Sequence, residues 1–232
     1  SLEQSSIDWH LHIIDDDSSD ATKQMIRTIA PVATFDFLPA RDQSRMNGKQ
    51  KSRHSVRVAY DYIYSLPTDE MVYIVEDDYL HYPEAIHDML DTVTQFEEDT
   101  GRMIAVNPHD DVWRYHQPYL SYVLHGPYRH YRTVEHTTYT CLASKAIYDK
   151  YRKHFQDVVE LTKQQAPWVE NKSINLVWQQ EDVTLVSPIP GLAFHIMDES
   201  GRDPYVDIDE LWNSIPKLWV ESSRPRIAIA SL

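Results

Sequence analysis

Positive charge is scarce in this chain: 22 Lys and Arg face 36 Asp and Glu, a formal net charge of −14 over 232 residues. So acidic a chain suits neither nucleic-acid backbones nor anionic lipid surfaces. Excess carboxylate suits a divalent cation that bridges protein to an anionic ligand. Cysteine is almost missing. The single Cys141 excludes an internal disulfide and fits a reducing, cytoplasmic setting. Glycine is also rare, with five in all, and none belongs to a Gly-rich phosphate loop. No apolar run reaches the ~18 residues of a membrane span. Aromatics, by contrast, are plentiful, with 15 Tyr and 6 Trp. Their ordinary role is core packing, and their faces also stack on sugar rings.

What the chain does contain is an alternation of strand and helix patterns. Residues 9–14, 32–38, 71–75 and 103–106 read as buried strands, with helices over 21–29, 52–66 and 83–98. Repeated β–α units predict a largely parallel sheet with helices on both faces. After Asn107 the pattern changes to β-rich segments crowded with Tyr, His and Arg (119–124, 129–135 and 137–142), which predict a smaller antiparallel portion. Helices over 144–154 and 168–179 and a strand over 183–186 follow. The expected organisation is one α/β domain over residues 1–200, with halves at 1–107 and 108–200, and a C-terminal extension at 201–232.

Two predicted strands run into carboxylates, Asp15-Asp16-Asp17 and Glu76-Asp77-Asp78. Ligands of open α/β sheets bind at the carboxyl ends of strands. Clustered like charges are costly unless a cation compensates them. Helix capping explains Ser18 or Asp20 but leaves Asp15 and Asp16 unexplained. A solvated turn is the plain alternative for Asp77 and Asp78, yet an apolar strand anchors them. His195 ends the segment Ile189-Pro190-Gly191-Leu192-Ala193-Phe194-His195 and becomes a candidate to meet those carboxylates. Imidazole is a competent Mn²⁺ ligand, whereas Mg²⁺ prefers oxygen.

Ile13-Ile14-Asp15-Asp16-Asp17-Ser18-Ser19-Asp20 resembles the nucleotide-binding turn of family 2-like glycosyltransferases, V-D-D-G-S-x-D, with Asp17 where glycine is usual. Val72-Tyr73-Ile74-Val75-Glu76-Asp77-Asp78 resembles the family's D-x-D metal motif, here E-D-D. His195 resembles its late histidine. The resemblance spans roughly residues 7 to 200 and implies a GT-A fold. It implies an inverting, metal-dependent transfer from a nucleotide-diphosphate sugar, a UDP-sugar being the expected donor, to a saccharide hydroxyl. Asp78, Asp77 and His195 would hold Mn²⁺ or Mg²⁺, while Asp15 and Asp16 would contact the nucleotide and Arg53 its phosphates or sugar. The general base, late in the family's chain, maps best to Glu170, with Asp182 and Glu135 as alternatives. A favourable first-turn carboxylate is an equal reading of Glu170. Arg45, Lys49 and His54 would join Arg53, and residues Tyr128 to Arg132 would line the acceptor cleft.

The family usually opens with a strand and helix ending in a pattern like Ser1-Leu2-Glu3-Gln4, so about 20–25 residues are expected to precede Ser1. Three rivals remain. A sugar nucleotidyltransferase wants the missing Gly-rich loop. A non-catalytic carbohydrate-binding module leaves the strand-end carboxylates surplus. A metal-dependent hydrolase could use only His10-Leu11-His12, whose two imidazoles share one strand face.

Overall fold

A computed structural model describes residues 8–39, 48–116, 119–137, 139–164, 166, 168–196, 207, 209 and 211–213. Residues 1–7, on which the expected preceding helix rests, lie outside them. The order is β1 (His12–Asp15), α1 (Asp20–Ile29), β2 (Thr34–Phe37), α2 (Gly48–Ser65), β3 (Met71–Ile74), β4 (Tyr79–His81), α3 (Ala85–Thr100) and β5 (Met103–Val106). It continues with α4 (Trp113–His116), β6 (Val123–His125), β7 (His130–Thr133), β8 (Cys141–Ser144), α5 (Lys145–Lys150) and α6 (Arg152–Lys163). Two 3₁₀ turns (Glu170–Lys172 and Ile174–Leu176), β9 (Val183–Ile189) and β10 (Ala193–His195) complete it.

The protein is α/β, but its main sheet is mixed. Six strands lie in the order β3-β8-β5-β9-β7-β6, and only β5 and β9 pair in parallel. The expected parallel sheet fails because β8 enters between β3 and β5, antiparallel to both. The β-rich stretch is thus part of the central sheet, not a separate antiparallel portion. β6 and β7 are joined by a short turn, which demands antiparallel pairing. β1 and β2 pair in parallel in a sheet of their own.

Strands β5 and β8 are buried on both faces, so alternate residues serve different cores. Ala105, Cys141 and Ala143 join Val56, Tyr60, Ile63 and Phe155 beneath α2 and α6. Ile104, Val106 and Leu142 meet Ile86, Met89, Val93 and Phe96 of α3. α3 ends at Gly101, whose φ of 66° is left-handed and whose N–H reaches Glu97 O. Helix α2 also carries Ala59 and Val58 against Ile14 and Leu38, so it supports both sheets. Leu211, inside the expected extension, packs against Phe194.

The helix expected over 168–179 is replaced by the two 3₁₀ turns. Ser173 Oγ donates to Val169 O, and Asn175 Nδ2 donates to Asn171 Oδ1 at 2.9 Å. Such short polar side chains compete with a helical backbone, and Ser173 leaves helical geometry at φ −141°, ψ −99°. Pro83 precedes the cap residue Glu84 of α3 and is not in the first turn as expected.

Candidate active site

The acidic turn after β1 is built around Asp15. Asp15 is buried, and its Oδ1 accepts from Ser18 N at 3.0 Å. Lys23 Nζ stands 3.9 Å from the same oxygen. Ser19, and not the expected Ser18 or Asp20, accepts from Thr22 N and caps α1. Asp17 takes φ 68°, a left-handed conformation that glycine adopts most readily. Asp is among the few other residues that tolerate it. Part of Asp15's role is therefore structural. Its Oδ2, however, is buried without a hydrogen-bond partner among the described residues.

Strand β3 delivers Glu76, Asp77 and Asp78 beyond its carboxyl end. Thr140, just ahead of β8, holds Glu76 twice, donating to Oε2 and accepting from its N–H, both at 3.2 Å. Burial, and then the neighbouring Asp78 carboxylate, raises the pKa of Glu76 and of Asp77. Desolvation is the larger effect in both, and like-charge repulsion adds to it.

His195 meets these carboxylates because of strand register. β10 runs antiparallel to β4 with His195 opposite Tyr79, and Ile196 N continues the ladder to Asp78 O at 2.9 Å. Leu192 N and Ala193 N bond Pro108 O, fixing β10 on the loop after β5. His195 Nε2 then lies 2.8 Å from Asp78 Oδ2. Asp78 Oδ1 and His195 Nδ1 are buried without partners among the described residues. Among those residues no group of three or more His, Cys, Asp or Glu is disposed to hold a metal ion. A carboxylate and an imidazole bonded to each other remain at this turn, both of them side chains of metal-ligating type.

The exit of β5 contributes a cluster that sequence reasoning missed. Tyr79 stands between His195 and His109, with ring centroids 5.2 Å and 5.4 Å away. His109 Nε2 and Arg114 Nη2 hold the two oxygens of Asp111 at 3.0 and 3.1 Å. Burial opposes ionisation of Asp111, but these partners outweigh it and lower its pKa. Arg132 pairs with Asp110 at 3.2 Å, and the Tyr115 hydroxyl donates to the same carboxylate. Asn107 is buried with Nδ2 unpartnered among the described residues. The signal was present: Asp110-Asp111 is a third acidic run beyond a buried strand.

The three candidate bases separate. Asp182 lies at the entrance of β9, where Lys150 Nζ reaches it at 2.6 Å and Tyr151 also donates. Since β5 and β9 run in parallel, that is the sheet end opposite the exits carrying Asp78 and His109. Glu135 is exposed just past β7. Glu170 opens the first 3₁₀ turn. Burial, and then the charges of Glu170 and Glu76, hold the Tyr139 phenol well above its ordinary pKa. Glu170 and Glu76 thus both lie within electrostatic reach of the Tyr139 phenol.

Other candidates fall away. Tyr131 is fully buried with its hydroxyl on Asp88 at 2.7 Å, and Arg129 pairs with Asp88 at 2.6 Å. They tie the β6–β7 hairpin to α3. His10 and His12 both bond Thr34 Oγ1, confirming their shared face, and His12 also meets Asp36 at 3.1 Å. Cys141 is buried, which pushes its thiol pKa up and rules out a ready nucleophile. Arg45 and the side chains of Lys49 and Arg53 lie outside the described residues.

No protein-family model and no curated protein matches the chain. Among the described residues no helix is long and apolar enough to cross a membrane.

Proposed function

We propose that this protein is a divalent-metal-dependent glycosyltransferase of GT-A type. It moves a sugar from a nucleotide-diphosphate donor to a saccharide hydroxyl, with inversion. One observation carries the reading: His195 from the last strand bonds Asp78 at the end of the E-D-D turn, 2.8 Å apart. An acidic turn is common by itself. An imidazole brought from more than a hundred residues away onto its last carboxylate is not.

Asp78 and His195 would hold Mn²⁺ or Mg²⁺, with Asp77 assisting. When bound, the cation neutralises charge developing on the diphosphate leaving group. Asp15 accepts a hydrogen bond from the nucleotide base through its buried Oδ2, and Asp16 stands beside it. Glu170 takes the proton of the attacking hydroxyl. Thr140 secures the Glu76 side of the turn through its two hydrogen bonds.

A panel of nucleotide sugars, assayed for hydrolysis and transfer with and without Mn²⁺, tests this. Metal-dependent release of nucleoside diphosphate from at least one donor, UDP-sugars first, is expected. Conversion of a nucleotide sugar and added pyrophosphate to nucleoside triphosphate and sugar 1-phosphate would instead indicate a nucleotidyltransferase, and saccharide binding without turnover of any donor a carbohydrate-binding module. Full activity in excess chelator would remove the metal from the proposal.

A further inference from the structure

Trp168 joins two features that core packing does not account for. Its side chain is 74% exposed, more than any other aromatic among the described residues. Its backbone adopts φ 57°, a region that bulky L residues rarely occupy. The surroundings hold it there. Trp168 O accepts from Lys172 N at 3.2 Å, and the next residue, Val169, is buried with its carbonyl held by Ser173 Oγ. Residues held in unfavourable backbone conformations cluster at ligand-binding and catalytic sites. Trp168 lies two positions before Glu170, and the exposed Asn171 and Lys172 follow.

We infer that Trp168 is the acceptor platform, the indole on which a neutral pyranose ring stacks beside Glu170. This rests on the transferase reading above. A broad aromatic face suits the C–H face of a pyranose, and exposed amide and ammonium groups nearby suit its hydroxyls. Neutrality follows from the chain as a whole, whose net charge of −14 repels an anionic acceptor. A lone ring among polar neighbours is also unlike the contiguous apolar patches that dock proteins.

The test is calorimetric titration of cellobiose, lactose, maltose and chitobiose into wild type, Trp168→Phe and Trp168→Ala, with UDP plus Mn²⁺ titrated separately. At least one disaccharide should bind the wild type. Trp168→Ala should weaken it about tenfold and Trp168→Phe by no more than about threefold. UDP affinity and thermal melting should not move in either variant, since the ring supports no core. A wild type that binds none of the four, or a Trp168→Ala variant that binds as well as wild type, overturns the platform. Donor turnover in the same samples separates the two readings. Saccharide binding that needs Trp168, with no turnover, sinks the transferase and leaves the platform. Turnover with saccharide affinity intact in Trp168→Ala sinks the platform alone.

Discussion

Asp78 is the carboxylate on which the site's electrostatics converge. After burial, its charge is the next cause that raises the pKa of Glu76 and Asp77, and it bonds His195. Asp78→Ala should abolish transfer, yet leave metal-free melting unchanged or slightly raised, because a charge leaves a crowded turn. Clear destabilisation of the metal-free variant would make Asp78 a structural residue. His195→Ala should weaken donor binding in Mn²⁺ and change little without it; an equal stability loss in both states would assign it to packing. Glu170→Gln keeps size but cannot accept the proton. Turnover should drop about 10²–10⁴-fold with donor affinity near wild type, with Asp182→Gln and Glu135→Gln as active controls. A near-normal rate would move the base elsewhere. Asp78 and His195 were legible because both end apolar strands, where ligands gather. Asp182 also neighbours a strand but precedes it, and sequence pattern alone did not weigh which end of the sheet that places it on.

At the scale of elements, turns were legible where chemistry is local, and pairing was not. The turn after β1 was readable from its Asp and Ser residues, and its left-handed residue is Asp17 at φ 68°. Asp17→Gly should therefore stabilise the protein by up to about 1 kcal/mol in denaturant melts, unless Asp17 contacts the nucleotide. Loss of donor affinity with that gain would reveal such a contact. β4 is only three residues long, too short to show periodicity, yet it sets the register that brings His195 to Asp78. The position of β8 was hidden for another reason. A strand's neighbours are fixed by contacts far along the chain, and its own buried pattern fits a parallel or an antiparallel partner equally. Residues 168–179 misled because apolar positions Val169, Ile174, Val177 and Trp178 point inward from 3₁₀ turns as they would from a helix.

For the molecule as a whole, acidity and pH act through opposed groups. Burial lowers the pKa of His81 from 6.5 to about 4, and Tyr73 OH lies 2.6 Å from its Nε2. Above pH 6.5 this neutral imidazole costs nothing. Between 6.5 and 4 the unfolded chain takes up a proton that the native state refuses, so stability falls as pH falls. The slope is at most about 1.4 kcal/mol per pH unit. Glu76 and Asp77 act with the opposite sign, since their raised values let the native state bind protons first. His81→Gln should flatten the decline in unfolding free energy between pH 6.5 and 4; an unchanged slope would assign it to other groups.

The separation of β1 and β2 from the six-stranded sheet has a dynamic consequence. Among the described residues their backbone ladder closes on itself, and their small apolar core of Ile14 and Leu38 leans on Ala59 and Val58 of α2. A unit tied to the rest through one helix face can open without the remainder unfolding. Amide hydrogens of Ile13 to Asp15 and Phe35 to Leu38 should thus exchange with deuterium well before those of β5, β8 and β9. A nucleotide gripping Asp15 would slow that exchange selectively, so the lag between the two sheets becomes a gauge of occupancy that needs no turnover to read.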